Sequence, residues 1–147
     1  MRAVIQRVRE AQVTSASDLL GSIQRGLVVF VAIAPGDSMA QGCWIIGKIL
    51  KLRIFDGEGN SFMERSLEEI QGDVLLVSQF TLYGDLRKGT RPSFSHAAPS
   101  LEASDLYEKF VQGFRDRWPG RVQAGRFGAD MQVSLVNDGP VTLILDK

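Results

Sequence analysis

The chain has few of the side chains that usually carry metal or nucleophilic chemistry, since its 147 residues include one cysteine and one histidine. Cys43 alone cannot form a disulfide within the chain, and with His96 it is too small a set for a zinc site of the usual His and Cys ligands. Neither a Gly-x-Ser-x-Gly elbow nor a Walker loop occurs. The sequence therefore argues against the usual zinc enzymes, elbow-type serine hydrolases and P-loop NTPases, and we expect no metal and no cofactor.

The chain also lacks an excess of charge of either sign, with 17 basic and 17 acidic residues. Because no global positive field attracts nucleic acid, any RNA binding must depend on a local patch, and we expect no DNA partner. No apolar run approaches the roughly 20 residues that span a bilayer. The first residues, Met1-Arg2-Ala3-Val4, show no signal-peptide core. We expect no membrane partner and a cytoplasmic location.

What is present is an ordinary globular composition, 44% hydrophobic and 23% charged, and the length predicts one domain over residues 1–147. The pattern predicts the order β-β-α-β-α-β-β, an α/β or α+β fold with a compact, barrel-like sheet and two outer helices. The helices are predicted to begin at Asp37, as N-cap, and at Pro99-Ser100. The predicted strands are Met1–Val13, Leu27–Ala34, Val74–Val77, Met131–Leu135 and Val141–Leu145.

Several side chains that could suggest chemistry are predicted to be structural instead. Cys43 and Trp44 accompany the apolar face of the first helix, which favours a core position. His96 is predicted to be structural or exposed. The second helix carries an apolar stripe at helical spacing, Ala103, Tyr107, Phe110, Phe114 and Trp118.

Three hydrogen-bonding side chains, Ser78, Gln79 and Thr81, follow directly on the buried strand Val74–Val77, with Phe80 among them. An unpaired polar group in such a position costs roughly 1–3 kcal/mol, so these groups must find partners. Neighbouring strands or a ligand can supply them. From the residues alone the structural interpretation is favoured, and the binding interpretation stays open.

A second stretch, Asn137–Thr142, lies between two alternating segments and is dense in turn formers, which predicts a hairpin turn. Gly139 can take backbone angles forbidden to other residues, and Pro140 removes an N–H and can adopt the cis bond. The pair makes a rigid backbone corner with exposed carbonyls. Such a corner could recognise a ligand without using any side chain.

Three further sets have two interpretations each. Arg7 within the first strand is either an edge-strand charge or a functional cation. Phe127 and Met131 either pack in the core or flank a flat ligand, since an aromatic ring and a thioether both suit a base. The loop Asp85–Pro92 carries three cations that are either solvated or in contact with phosphates.

Together the two stretches resemble the D-aminoacyl-tRNA deacylase family. Ser78-Gln79-Phe80-Thr81 is similar to the family's Ser-Gln-x-x-Thr signature, and Asn137–Thr142 is similar to its Asn-x-Gly-Pro-Val-Thr signature. The similarity spans essentially the whole chain in the family's order, through Gln6–Val8, Arg91–Phe94, Gly125–Phe127 and Ala129–Leu135. The segment Ser15–Asp18, in the predicted polar turn Ser15–Gly21, departs from the family's regular hairpin, and we expect a surface variation there.

The resemblance implies a β-barrel homodimer that binds tRNA and serves translation quality control. The implied reaction is hydrolysis of the ester between the 3′-terminal adenosine of tRNA and a D-amino acid, or glycine mischarged on tRNA-Ala. Gly139-Pro140 of one subunit would reach into the other subunit's site and reject L-amino acids by clash, as a Gly-cisPro chiral filter. Arg7 would hold their carbonyls, and Phe127 and Met131 would contact the adenosine.

In this implied site the catalytic set is Ser78, Gln79, Phe80 and Thr81. A threonine nucleophile needs a base, and the motif offers none, so we expect the vicinal ribose hydroxyl of the substrate to assist. Backbone N–H groups of Phe80 and Thr81 would stabilise the oxyanion. A tRNA-end-binding module without turnover and a purely structural barrel stay open as alternatives, as does whether Thr81 attacks or positions the substrate.

Overall fold

The computed structural model describes the backbone of residues 1–147 and every side chain except that of Asn60. Within that description, six strands and three α-helices follow one another, with short 3-10 helices at Glu58–Asn60 and Phe80–Tyr83. Their order is β1 (Arg2–Ser15), β2 (Asp18–Ile23), β3 (Gly26–Ala32), α1 (Met39–Lys51), α2 (Leu67–Ile70), β4 (Asp73–Ser78), α3 (Ser100–Arg117), β5 (Val122–Ala124) and β6 (Gln132–Asp146). The predicted mixed α/β class is confirmed, but three elements, β2, α2 and β5, were missed, so the helices number three rather than two. The two last predicted strands, Met131–Leu135 and Val141–Leu145, form the single strand β6.

The sheet is organised around β1. Its first half pairs antiparallel with β3, its second half pairs antiparallel with β2, and β6 pairs antiparallel along nearly its whole length. From β3 the sheet continues in parallel through β4 to β5. Strand β2 packs back towards β5, where a Cβ on Gly21 would lie 3.0 Å from the Cβ of Gln123. The sheet is therefore nearly closed, as the prediction of a barrel-like sheet required.

Both faces of the central strands are buried, and successive residues alternate between two cores. In β3, Leu27 and Val29 face the helices, whereas Val28 faces the interior of the barrel. In β4, Leu76 likewise faces the helices, and Leu75 faces the barrel interior. Because neither face is exposed to water, both strands read as near-continuous apolar runs, and β4 ends at Ser78, where the polar residues of the motif begin.

The helices cover one face of the sheet. Ser38, rather than the predicted Asp37, is the N-cap of α1, and it forms a capping box with Gln41. The prediction that Trp44 belongs to the core is wrong, since the side chain is 40% exposed. The stripe on α3 is confirmed, because all its predicted members are buried: Ala103, Tyr107, Phe110, Phe114 and Trp118.

Two predicted turns differ from the structure. The predicted polar turn Ser15–Gly21 is shorter in the structure: Ser15 pairs with Asp18 in the β1–β2 hairpin, whose turn holds Ala16 at φ +50° and whose register shifts between Val13 and Thr14. Asn137–Thr142 is not a hairpin turn, because both of its flanks belong to β6. It forms a bulge instead, since Gln6 pairs with Thr142 while Val8 pairs with Asn137. Turn-forming residues predicted a change of direction, whereas pairing with β1 on both sides keeps the strand continuous.

Within the described part of the chain, no helix is both long and apolar enough to cross a bilayer.

Candidate active site

A cavity of about 520 Å³ opens where β4 ends. It lies between the carboxyl ends of β3 and β4, the start of α3 and the segment that leads into β6. Five of the predicted site residues line it: Ser78, Gln79, Phe80, Phe127 and Met131. Thr81 joins them through the Gln79 side chain, whose Nε2 lies 2.6 Å from the Thr81 Oγ1. The fold thus brings the polar motif and the two predicted adenosine contacts to one cavity.

The polar motif changes its backbone conformation as it leaves the sheet. The Gln79 N–H still donates to the Val31 carbonyl at 2.8 Å, and a 3-10 helix then runs from Phe80 to Tyr83. The N–H groups of Phe80 and Thr81 stand at the start of this helix, where no preceding turn supplies an acceptor. Two such adjacent donors are the groups that an oxyanion needs.

Arg2 holds this 3-10 helix in place, a role that the sequence did not reveal. Its Nη1 donates to the Leu82 carbonyl at 3.0 Å, and its guanidinium lies 5.3 Å from the centre of the Tyr83 ring. Arg2 also binds Asp146 of β6 at 2.7 and 3.2 Å, which lowers the pKa of that carboxyl below its usual value. The first and last strands therefore both anchor the motif.

The opposite wall of the cavity is apolar. Phe127 packs against Tyr107 with ring centres 5.9 Å apart, and the Tyr107 hydroxyl donates to the Leu76 carbonyl at 3.0 Å. Tyr107 is buried, and burial raises the pKa of its hydroxyl well above the usual value. Met131 approaches the backbone closely, because a Cβ on Gly125 would lie 2.6 Å from its sulfur. An aromatic ring and a thioether bound a slot that suits a planar base.

The bulge of β6 lies apart from this cavity. Gly139 and Pro140 are exposed and are not among the residues that line the cavity. The peptide bond between them is cis, and Gly139 has φ +122°. Asn137 closes the base of the bulge, since its Nδ2 donates to the Arg7 and Val141 carbonyls at 2.9 and 3.0 Å.

Arg7 fixes the bulge from below. It is 4% exposed, and it donates to the carbonyls of Asp138 at 3.2 Å and Ile54 at 2.7 Å. Carboxylate oxygens of Asp138 and Asp56 each lie 3.4 Å from the guanidinium. The interpretation as an edge-strand charge is wrong, because β1 is an interior strand and the side chain is buried. In the bulge, Arg7 donates to the carbonyl of Asp138, the residue before Gly139. The resemblance instead placed Arg7 on the carbonyls of Gly139 and Pro140.

Strand register shows how far apart the two motifs lie in one chain. Ser78 pairs with Val31, which pairs with Ala3, whereas the bulge lies beside Gln6–Val8. Four residues of strand separate these levels, roughly 13 Å along β1, and two further strands separate them sideways. A single chain therefore does not bring the Gly139-Pro140 bulge to the cavity.

The remaining candidates lie around the cavity mouth or outside it. Arg87 pairs with Asp85 at 2.6 Å, whereas Lys88 and Arg91 are exposed on the same loop. His96 is exposed and does not line the cavity. Among the side chains that the structure describes, no cluster of three His, Cys, Asp or Glu could hold a metal ion.

Comparisons with known proteins identify the family of the chain. The model of the family described as D-Tyr-tRNA(Tyr) deacylase matches residues 4–146. A D-aminoacyl-tRNA deacylase of Petrotoga mobilis is 49% identical over 147 residues, covering 100% of this chain and 97% of that protein. One of Chlorobaculum parvum is 50% identical over 148 residues, covering 100% of this chain and 98% of that protein.

Two solved structures share the fold. One, described as a c-Myc DNA unwinding element binding protein, has a TM-score of 0.94 and 38% identity, and the match covers 100% of this chain and 99% of that chain. Another, described as a probable eukaryotic D-amino acid tRNA deacylase, has a TM-score of 0.87 and 21% identity, and the match covers 99% of this chain and 98% of that chain.

Proposed function

The chain belongs to the D-Tyr-tRNA(Tyr) deacylase family, and we propose that this hydrolase cleaves the ester of D-aminoacyl-tRNA at the cavity beside β4. The observation that carries the assignment of the site is the convergence of Ser78, Gln79 and Phe80 with Phe127 and Met131 on one cavity. The polar side supplies donors, and the apolar side supplies a slot for the terminal adenosine. Since aminoacyl-tRNA is the substrate, the enzyme acts in the cytoplasm, where aminoacyl-tRNA serves translation.

The proposed chemistry uses the substrate's own hydroxyl. With the adenosine between Phe127 and Met131, the ester carbonyl lies towards the N–H groups of Phe80 and Thr81. A water molecule attacks the carbonyl carbon and passes a proton through the 2′ hydroxyl to the departing 3′ oxygen. The products are a free D-amino acid and tRNA with a 3′ hydroxyl. Gln79 and Thr81, joined at 2.6 Å, orient the ribose and the water, and losing one oxyanion donor typically costs about 10²–10³ in rate.

Selection for D-amino acids is assigned to the bulge of a second copy of the chain. Gly139-Pro140 projects from β6 and cannot reach the cavity of its own chain. Strand β6 pairs with β1, and it carries exposed apolar side chains on either side of the bulge, Val136 at 46% and Ile144 at 65%. A homodimer that covers this strand would bring each bulge to the other copy's cavity. Rigid backbone there would reject an L side chain by clash and admit glycine.

The decisive experiment is single-turnover hydrolysis of matched D-tyrosyl-, L-tyrosyl- and glycyl-tRNA. We expect rapid release of D-tyrosine and glycine, with the L ester intact. Residual turnover in Thr81→Ala would support the substrate-assisted route, whereas complete loss together with a trapped acyl-enzyme in the wild type would identify Thr81 as a nucleophile. If none of the esters is hydrolysed, the proposed site is wrong.

Nucleic-acid binding without turnover is a second candidate, favoured by the 38% identical solved structure, which is described as a DNA unwinding element binding protein. The same assay separates the two. Retained binding of an uncharged RNA end, with no hydrolysis of any ester, would support the binding module.

A further inference from the structure

Two phenylalanines stand exposed at the mouth of the cavity, and we propose that they stack the penultimate base of the tRNA 3′ end. Phe80 is 56% exposed and Phe94 is 37% exposed. Their ring centres are 5.0 Å apart and their planes meet at 71°, an edge-to-face contact. We call this pair the aromatic lip. Both residues line the cavity, so the lip is continuous with the proposed adenosine slot. The inference rests on the proposed function.

The lip is held in place by the loop that follows the 3-10 helix. Asp85 and Ser93 form a two-way backbone bridge at 2.7 and 3.0 Å, which delivers Phe94 next to Phe80. Arg87 closes the loop by binding both carboxylate oxygens of Asp85. Gly84 leaves room for the ring, because a Cβ there would lie 3.2 Å from the Phe94 Cε1. The exposed rings are therefore kept at the mouth by a defined set of contacts.

The charge around the lip favours a polynucleotide as its occupant. Lys88 and Arg91 are exposed on the loop that carries Phe94, and Arg126 is exposed beside Phe127. Aromatic rings next to cations are how proteins hold single-stranded nucleic acid, with the rings on the bases and the cations on the phosphates. When the terminal adenosine occupies the slot, the preceding nucleotide must leave through the mouth, where the lip stands. In tRNA this nucleotide is a cytidine.

The test compares two esters that differ only in the nucleotides before the adenosine. These are the D-tyrosyl esters of adenosine and of the trinucleotide CCA. Stacking of one base is worth about tenfold or more in binding, so we expect the wild type to prefer the trinucleotide by roughly that factor in kcat/KM. Phe94→Ala should lose this preference, because kcat/KM for the trinucleotide ester should fall about tenfold more than kcat/KM for the adenosine ester. Phe94→Tyr should keep the wild-type activity and the wild-type preference for the trinucleotide, because its aromatic ring is retained.

Leu86→Ala provides the matched control. Leu86 is on the same loop and is 68% exposed, but it does not line the cavity. We expect this variant to keep the wild-type preference. A second test removes the penultimate base from the substrate. The kcat/KM of the wild type on a CCA ester with an abasic penultimate position should match the kcat/KM of Phe94→Ala on the intact CCA ester. Combining Phe94→Ala with the abasic ester should lower kcat/KM no more than either change alone, because both remove the same contact.

Three results would overturn the proposal. Phe94→Ala could lower activity on both esters equally, which would make the lip a wall of the adenosine slot. It could change neither, which would mean that the substrate does not touch the lip. It could dissociate the protein into monomers in sedimentation experiments, which would mean that a second copy covers the lip.

Binding of uncharged CCA and adenosine, measured by calorimetry, separates this inference from the proposed function. It requires no hydrolysis. If the wild type cleaves no ester, the proposed deacylase site is wrong. The lip is still tested, by whether Phe94→Ala weakens the binding of CCA about tenfold more than it weakens the binding of adenosine.

Discussion

The Ser78–Thr81 motif and the Gly139-Pro140 bulge differ in shape and in what supports them. The motif ends a strand that is buried on both faces, and it lines a cavity. The bulge is convex and exposed, and one buried side chain, Arg7, fixes it from below. The cavity at the motif can receive a substrate, whereas the convex bulge can only project into the surface of another molecule. The difference is what the proposed function requires, in which a complete site combines a cavity from one copy with a projection from another.

The largest expected effect comes from mixing two inactive variants. Gln79→Ala damages the cavity, and Gly139→Trp damages the projection. Differently tagged copies should form a heterodimer in which one of the two symmetric sites is intact, with about half of the wild-type activity. Single-turnover assays on the doubly purified heterodimer measure it. If the mixture stays as inactive as its parents, cavity and projection work within one chain.

Gly139→Ala tests the projection alone. At φ +122° a side chain is strained, and its Cβ would lie 2.8 Å from the Val141 Cγ2 and 3.2 Å from the Arg7 Nη2. Displacing the bulge by about 1 Å should lower kcat/KM for D-tyrosyl-tRNA by about 10². Adenosine binding, measured by calorimetry, should be unchanged, because the cavity is made elsewhere. Weakened adenosine binding would contradict the separation of the two regions.

Arg7→Lys tests the support of the bulge. Lysine keeps the charge but loses the planar fork that reaches both Asp138 and Ile54, so we expect about 2 kcal/mol of destabilisation and a Tm lower by roughly 4–8 °C. D-ester activity should fall about tenfold, since the bulge loses its position. Arg9→Lys is the matched control, because Arg9 binds the same Asp138 carboxylate from a side chain that is 75% exposed. An equal effect of both variants would mean that the buried guanidinium of Arg7 has no special part in supporting the bulge, and no effect of Arg7→Lys would mean that charge alone matters.

Tyr107→Phe tests the wall of the cavity. Removing the hydroxyl leaves the Leu76 carbonyl paired with the Gly125 N–H, so the free energy of unfolding should fall by only about 1 kcal/mol. The ring remains against Phe127, and we expect KM for the adenosine ester to change by less than about threefold. Urea unfolding and steady-state kinetics measure both. A tenfold loss of kcat would instead place the hydroxyl in the chemistry.

Asp146→Asn should have the smallest effect. Arg2 lowers the pKa of Asp146, so the contact stabilises the fold above the unfolded pKa of about 3.9 and is lost as pH falls through the lower folded value. Both side chains are more than a third exposed, at 36% and 57%, so screening limits the contribution to about 0.5 kcal/mol. Urea titrations from about pH 7 to 2 should show wild type and variant converging below about pH 4. If the difference in stability between wild type and variant stayed constant across this pH range, the ion pair would not be its cause.

The sequence predicted the cavity better than it predicted the bulge. Ser78 and Gln79 attracted notice because they directly follow a buried strand, a pattern that is visible locally, whereas their role in a site and that of Phe127 came from the resemblance to the family. The bulge was mistaken for a hairpin turn, because Asn-Asp-Gly-Pro favours a reversal locally and only pairing with β1 on both sides overrides it. Arg2 and Phe94 were missed for a similar reason: their partners lie far away in sequence or come together only through a loop bridge.

The pairing of β6 with β1 also determines when the enzyme becomes functional. Arg2 pairs with Asp146, so the first strand remains without one neighbour until the last strand has been synthesised. Contacts of such long sequence separation form slowly, and an unpaired apolar edge on β1 is open to wrong partners during that time. Since β6 carries the bulge and also anchors the 3-10 helix through Asp146, folding of the barrel and completion of the site are one event. We therefore expect a nascent chain that lacks β6 to be unable to hydrolyse its substrate.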